Sequence, residues 1–252
     1  MYTKKFPLRV IHSGASEAQA NMSKDASLLA ALNDASGPIL HFYDWLHPAA
    51  TYGHFIEPSR HIDLGKAQMH GLELARRPTG GGIVFHIWDL AFSFLMPKIH
   101  PAYSQNTLDN YRFVNAVVLN AVKEYLSLDQ EVLLTPQPVL ERGPHCRHFC
   151  MARPTIYDVM YRDMKIAGAA QRKTQQGYLH QGTISLARPN VHILRDILRS
   201  QEEITEAMER FTFAPLGSLE QPFGCSERLT TARMDLQALL HQKFLQSLKN
   251  LS

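Results

Sequence analysis

Three consecutive glycines, Gly80, Gly81 and Gly82, follow a pair of arginines (Arg76, Arg77) and precede the apolar run Ile83-Val84-Phe85. A backbone stretch without side chains lets a ligand or another backbone approach closely. With fixed positive charge beside it, such a loop suits a phosphate or a carboxylate. The run matches neither the phosphate loop that ends in Gly-Lys-Ser/Thr nor the dinucleotide fingerprint. Its weight comes from context: Arg76-Arg77-Pro78-Thr79 before it, a strand after it, then His86 and Asp89. A second segment of small residues, KIAGAAQRK beginning at Lys165, lies about eighty positions on.

The 252 residues are enough for one large α/β domain, and 45% hydrophobic residues with 19% charged ones are those of an ordinary globular chain. The net charge of +3 is too small to argue for nucleic acid and is a mild bias toward an acidic protein partner. The three cysteines, Cys146, Cys150 and Cys225, are an odd number and describe no disulfide framework, so a reduced, cytoplasmic setting is expected. Neither a signal peptide nor an apolar run near twenty residues is present in the sequence, and no membrane partner is expected. The segment His145–Cys150 (HCRHFC) holds metal-ligating residue types, but no second ligand pair at zinc-like spacing accompanies it, and no metal is expected.

Hydrophobic periodicity divides the chain into alternating elements. Residues 5–12 alternate as a strand, and a helix follows with Ser13 or Ser16 as its cap and Ala18, Met22, Ala26, Leu29 and Leu32 on its apolar face. Residues 39–45 and 51–58 read as extended, 61–74 as a short helix and turn, and 83–97 as strands ending at Pro97. The clearest helix covers 104–126, with Tyr111, Val114, Val118, Ala121, Val122 and Tyr125 forming a stripe. A short strand at 131–134 and a proline-rich connection (Pro136, Pro138, Pro144) lead to three β segments at 155–161, 165–173 and 178–186. Arg162-Asp163-Met164 turns the first of these into the second. Residues 191–211 form one broken helix or two. A last helix, capped by Ser226, places Leu229, Ala232, Leu236, Leu239, Leu240 and Phe244 on one face.

RRPTGGGIVFH (Arg76–His86) resembles the signature of the lipoate–protein ligase and octanoyltransferase family, related in fold to biotin–protein ligases. KIAGAAQRK and the following Leu179-His180-Gln181-Gly182-Thr183 resemble that family's lysine–glycine–alanine strand and its histidine–glycine strand. Asn21-Met22 with Asp25, FYDW and TYG extend the likeness over nearly the whole chain. The resemblance implies an α/β (α+β) fold with a mixed, mostly antiparallel central sheet flanked by helices. It implies one catalytic domain over residues 1–252 without the small C-terminal accessory domain of large ligases. It implies a pocket for acyl chain and adenylate built from Arg76, Arg77, Thr79, Gly80, Gly81, Gly82, His86, Asp89, Gly168, Ala169, His180 and Gly182. Lys165 would contact the acyl carbonyl, where an ammonium stabilises negative charge building in the transition state.

Two reactions fit. In the ligase version, ATP with Mg2+ and lipoate give lipoyl-adenylate, which Lys165 holds for attack by a lysine of a lipoyl-domain acceptor. Such acceptors are the 2-oxoacid dehydrogenase E2 or the glycine-cleavage H-like protein. In the transferase version no cofactor is needed, and Cys150 carries octanoate or lipoate as a thioester taken from an acyl carrier or a lipoyl protein. CMARPTIYDV resembles the cysteine segment of one octanoyltransferase branch, with Met151, Thr155 and Asp158 replacing phenylalanine, serine and glutamate. A thiolate is the reactive form, and Lys165 or a histidine beside it would favour it. The triple glycine, which that branch interrupts with arginine at the position of Gly82, points to the ligase, which is the reading expected here. Missing from HIWDLAFS is the glycine that many ligases place between the histidine and the acidic residue, and Cys150 points to the transferase. A separate accessory subunit and a member that only binds acylated partners are the further alternatives.

Overall fold

The computed structural model describes residues 6–128, 131–136, 146–199, 201–219 and 226–249. His145, Cys225, Pro138 and Pro144, singled out above, lie outside the described residues. Seven strands form the main sheet: β1 (Arg9–Ser16), β2 (Ile39–Trp45), β6 (Asp89–Pro97), β10 (Gly177–Ser185), β9 (Met164–Lys173), β8 (Val159–Tyr161) and β7 (Val132–Leu134), in that spatial order. β1 and β2 are parallel, and every other neighbouring pair is antiparallel. A second sheet has β3 (Ala49–Tyr52) between β4 (Glu73–Arg76) and β5 (Ile83–His86). The fold is therefore mixed α/β with a mostly antiparallel main sheet.

The helices are α1 (Ala18–Ala30), α2 (Leu64–Met69), α3 (Thr107–Leu126), α4 (Val191–Ile197), α5 (Gln201–Phe211) and α6 (Glu227–Lys249). β6 and β10 are buried at every position, as strands covered on both faces must be. On one face, Phe92, Phe94, Tyr178 and Ile184 pack with Val114, Val118 and Ala121 of α3 and Leu236, Leu240 and Phe244 of α6. Phe94 and Phe244 stack with ring centroids 4.4 Å apart. The opposite face meets α1 through Ala18, Met22, Tyr43 and Ala91, in one cluster with Ala49 and Ala75 of the small sheet. A further cluster joins β5 to α4 and α5 and takes in Cys146 and Phe149.

Several local expectations change. α1 starts at Ala18 behind Glu17, so neither Ser13 nor Ser16, both within β1, caps it. The carboxylate of Glu73 does so from β4, accepting the Ala18 N–H at 2.7 Å. β4 itself replaces part of the expected turn, because Glu73-Leu74-Ala75-Arg76 is extended only by pairing with β3. The 191–211 region resolves into two helices, α4 and α5. β8 turns into β9 at Arg162, whose φ is +52°. Replacing Phe244 with Ala removes one half of the stacked pair. It should cost about 3–5 kcal/mol of stability, read as a lower urea midpoint at unchanged slope.

Candidate active site

Between strands β9 and β10 of the main sheet and strands β3 and β5 of the small one runs a narrow slot of about 30 Å³. Its walls are Gly168, Ala169, Ala170, Gln181, Gly182 and Thr183 on one side and Thr51, Val84 and His86 on the other, with Met22, Tyr43, Arg77 and Cys150 completing it. Next to it lies an open cleft of about 370 Å³, bounded by Gly80, Gly81, Gly82, Tyr111, Arg153 and Lys165 among others. Cys150, Ala169 and Ala170 line both spaces. The Cys150 thiol is thus at the passage between an exposed cleft and a buried slot.

Arg77 is the residue that shapes the glycine loop. Its side chain is buried, and Nη1 donates to Thr51 O (3.1 Å) and Thr51 Oγ1 (2.7 Å). Nη2 donates to Gly80 O (3.0 Å) and Gly82 O (2.7 Å). The guanidinium therefore braces loop carbonyls. Arg76, one residue earlier on the strand, is exposed and lies over the Tyr52 ring, outside the lining of both spaces. Thr79 is buried and donates to Gln181 Oε1 at 2.7 Å.

The third glycine has a specific reason. A Cβ on Gly82 would run into the backbone carbonyl of His148, so only glycine lets the 148–150 segment lie beside β5. That contact brings the Gly82 N–H to Cys150 Sγ at 3.2 Å and the Cys150 N–H to Ile83 O at 3.0 Å. The loop thus offers a backbone donor to the sulfur.

On the other side of Cys150, Lys165 is buried with its ammonium 2.8 Å from the Cys150 carbonyl oxygen, 3.4 Å from Arg153 O and 2.7 Å from Asp158 Oδ2. Lys165 is the second residue of β9, near the strand start as expected, and borders the cleft. The Tyr111 hydroxyl donates to Ala169 O, and burial pushes its ionisation far above the ordinary tyrosine range, so the phenol stays neutral.

Most polar side chains around the slot are paired within its wall, while Arg77 Nε and Asp89 Oδ1 are buried without a partner among the described residues. His86 Nδ1 meets Asp89 Oδ2 at 2.8 Å, and Nε2 meets Thr51 Oγ1 at 2.8 Å; Thr183 donates to the same Asp89 oxygen. Trp45 stacks on His86 at 4.3 Å. Asp25 Oδ1 meets His41 Nδ1 at 2.8 Å, while Oδ2 accepts from Gln181 Nε2 at 2.7 Å and from Ser93 Oγ. With these groups engaged in the wall, the slot is suited to an apolar chain.

Sequence reading named His180 and Gly182 on β10; Gly182 lines the slot together with Gln181 and Thr183, and His180 does not. Side chains alternate along a strand, and His180 points the other way, 5.3 Å from the Tyr111 ring and 6.3 Å from Phe92. Gln171 Nε2 donates to its Nδ1 at 2.8 Å, and its Nε2 has no partner among the described residues. Neither space is lined by His180. Gln181 and Thr183 could have been found by applying the two-residue period to YLHQGTISL. Thr51 and Tyr43 stood inside the quoted TYG and FYDW segments without being assigned a role.

A thiol beside a buried lysine at the mouth of a largely apolar slot, on this sheet, is the site of a mixed α/β protein. The chain matches the family described as the lipoyl protein ligase A/B catalytic domain over residues 17–240 and belongs to that family. It is similar to octanoyltransferase LipM of Geobacillus kaustophilus (strain HTA426), with 30% identity over 207 residues, 80% of this chain and 73% of that protein. In fold it is similar to a putative lipoate protein ligase from T. acidophilum with bound lipoic acid (TM-score 0.71, 20% identity, 96% of this chain and 86% of that one). It is also similar to lipoate-protein ligase A bound with ATP (TM-score 0.69, 21% identity, 96% and 85%).

Burial pushes the His180 imidazole down from 6.5 to about 3. Between those values the unfolded chain binds a proton that the folded one refuses. Stability from this group is complete above about pH 6.5 and declines as pH falls, by up to about 1.4 kcal/mol per unit, until about pH 3. His180→Gln should flatten this part of the acid limb. In urea unfolding at pH 7, 6, 5 and 4, the stability difference between wild type and variant should move in the variant's favour as pH falls.

Proposed function

We propose that this protein is an acyltransferase of protein lipoylation, with Cys150 as the nucleophile. The observation that carries this reading is the position of Cys150 Sγ. It lies on the passage from cleft to slot, beside the Gly82 N–H. The acyl chain, octanoyl or lipoyl, enters the slot, which must widen from its volume of about 30 Å³ to hold it. The Cys150 sulfur attacks the carbonyl of a carrier thioester, a new C–S bond forms, the carrier's C–S bond breaks, and the carrier leaves as its thiol with the proton. The ε-amine of a lipoyl-domain lysine then attacks the Cys150 thioester. The amide C–N bond forms, the C–S bond breaks, and Cys150 regains a proton from the amine. In both steps Lys165 donates to the carbonyl oxygen as it becomes an oxyanion.

The sequence leaned to an ATP-dependent ligase on the strength of its triple glycine. Two observations support the transferase instead. Gly82 has a reason of its own in the close approach of His148, and its N–H is turned to sulfur. Arg77 is engaged by oxygens of the strand and the loop, so it is not an open cation waiting for a phosphate. The similarity to octanoyltransferase LipM has the same direction. For the ligase alternative, the residues that would meet an adenylate are those of the cleft, Gly80, Gly81, Arg153 and Lys165. The chemistry needs a reduced thiol, which supports a reducing, cytoplasmic setting; the Cys150 thiol is free. Among the described residues, no helix is long and apolar enough to cross a membrane.

The deciding assay weighs an apo lipoyl domain after incubation with octanoyl carrier protein, or with lipoate and Mg-ATP. The transferase reading expects one octanoyl group on the acceptor without ATP, abolished by Cys150→Ser. Modification that requires ATP and survives Cys150→Ser would establish the ligase in its place.

A further inference from the structure

We infer that Asp158 is a positioning residue of this site, acting through Lys165; the inference rests on the reading of Lys165 as donor to the acyl carbonyl. Asp158 lies in the loop before β8, with its side chain fully buried and Oδ2 2.7 Å from Lys165 Nζ. The same oxygen accepts the Thr155 N–H at 2.6 Å and the Thr155 hydroxyl at 3.0 Å. On the main chain, Asp158 O accepts the Thr135 N–H at 2.9 Å. The carboxylate is held by its own loop before Lys165 reaches it.

A lysine ammonium is a point charge on a flexible stem, with three protons to give. All three have acceptors here. Two contacts are short, to Asp158 Oδ2 (2.7 Å) and Cys150 O (2.8 Å), and the third, to Arg153 O, is long at 3.4 Å. Gly168 closes the remaining side. A Cβ there would come within 2.5 Å of Nζ and 3.1 Å of Asp158 Oδ1. Two strong anchors fix the nitrogen beside the nucleophile's own backbone. The weak contact is the one an oxyanion can replace, so Lys165 can serve the transition state without leaving Asp158 or Cys150. Without the carboxylate, the stem loses the anchor that aims it, and the buried charge loses its counter-ion.

This arrangement makes Asp158 silent once Lys165 is gone, which a double-mutant cycle reads directly. The variants are Asp158→Asn, Lys165→Met and the pair, and the measurement is the single-turnover rate of acyl transfer to a lipoyl domain, per folded protein. Asp158→Asn should slow transfer about 10- to 100-fold and leave the acceptor KM unchanged, and it should have no further effect in the Lys165→Met background. Equal fold losses in both backgrounds, or a wild-type rate in either single variant, would overturn the assignment. Should Asp158→Asn not fold, Thr155→Val carries the test, because Thr155 is exposed and its hydroxyl only steadies the carboxylate. It should slow transfer about threefold with Lys165 present and not at all in the Lys165→Met background; the same loss in both would again overturn it. If the wild type modifies the acceptor only with ATP, the transferase reading fails, and the cycle run on that reaction still judges Asp158. If Cys150 loads and the cycle is additive, the transferase reading stands and the Asp158 assignment fails.

Discussion

A buried guanidinium sets the geometry on which the rest of the site depends. Arg77 cannot be left in an apolar interior without oxygen partners, and its planar fork needs them at fixed directions. It finds Thr51 O and Oγ1 on one strand and the carbonyls of Gly80 and Gly82 on the loop. The loop is held to the small sheet in a shape that only glycines allow: Gly81 takes φ +85°, and Gly82 has no room for a Cβ. With those carbonyls turned to Arg77, the Gly82 N–H is free for Cys150 Sγ. A loop that looks from sequence like an anion cradle is, in the fold, the support of a thiol.

From that support the site reads as a line of three environments. The cleft is open and bordered by Lys165 and Arg153. Cys150 stands at the passage. Behind it the slot is backed by side-chain pairs, Asp25 with His41 and Gln181, and His86 with Thr51 and Asp89. These buried pairs keep the walls of the slot in place without offering donors to a hydrocarbon chain. Helix α6 lies away from this line and contributes packing that holds β6 and β10 beneath it, whereas α3 also brings Tyr111 to the cleft and β2 brings Tyr43 to the slot.

Much of this was legible in the sequence where local pattern and tertiary demand agree. β2 occupies residues 39–45 as expected, and α3 and α6 follow their apolar stripes, because amphipathic periodicity reports burial directly. Cys150, Lys165 and the glycine loop, named from motif and family resemblance, are brought to one cleft by the fold. What escaped depends on partners distant in the chain. β4 is a strand only because β3 lies beside it, and α1 is capped by Glu73, fifty-five residues away. Arg76 and Arg77 are equivalent on paper; the strand's alternation buries one and exposes the other. The same two-residue alternation separates His180 from Gln181 and Thr183. Asp158 was noticed only as a replacement for glutamate, since nothing local in CMARPTIYDV says that its carboxylate meets Lys165.

The central claim is that the Cys150 sulfur carries the acyl group. The most direct measurement is the mass of the protein itself after brief exposure to an octanoyl thioester with no acceptor present, followed by peptide mapping. The account predicts one octanoyl group, on the peptide containing Cys150, released by hydroxylamine as a thioester is. An unmodified Cys150 after full consumption of the thioester, or an octanoyl group located only elsewhere, would contradict it.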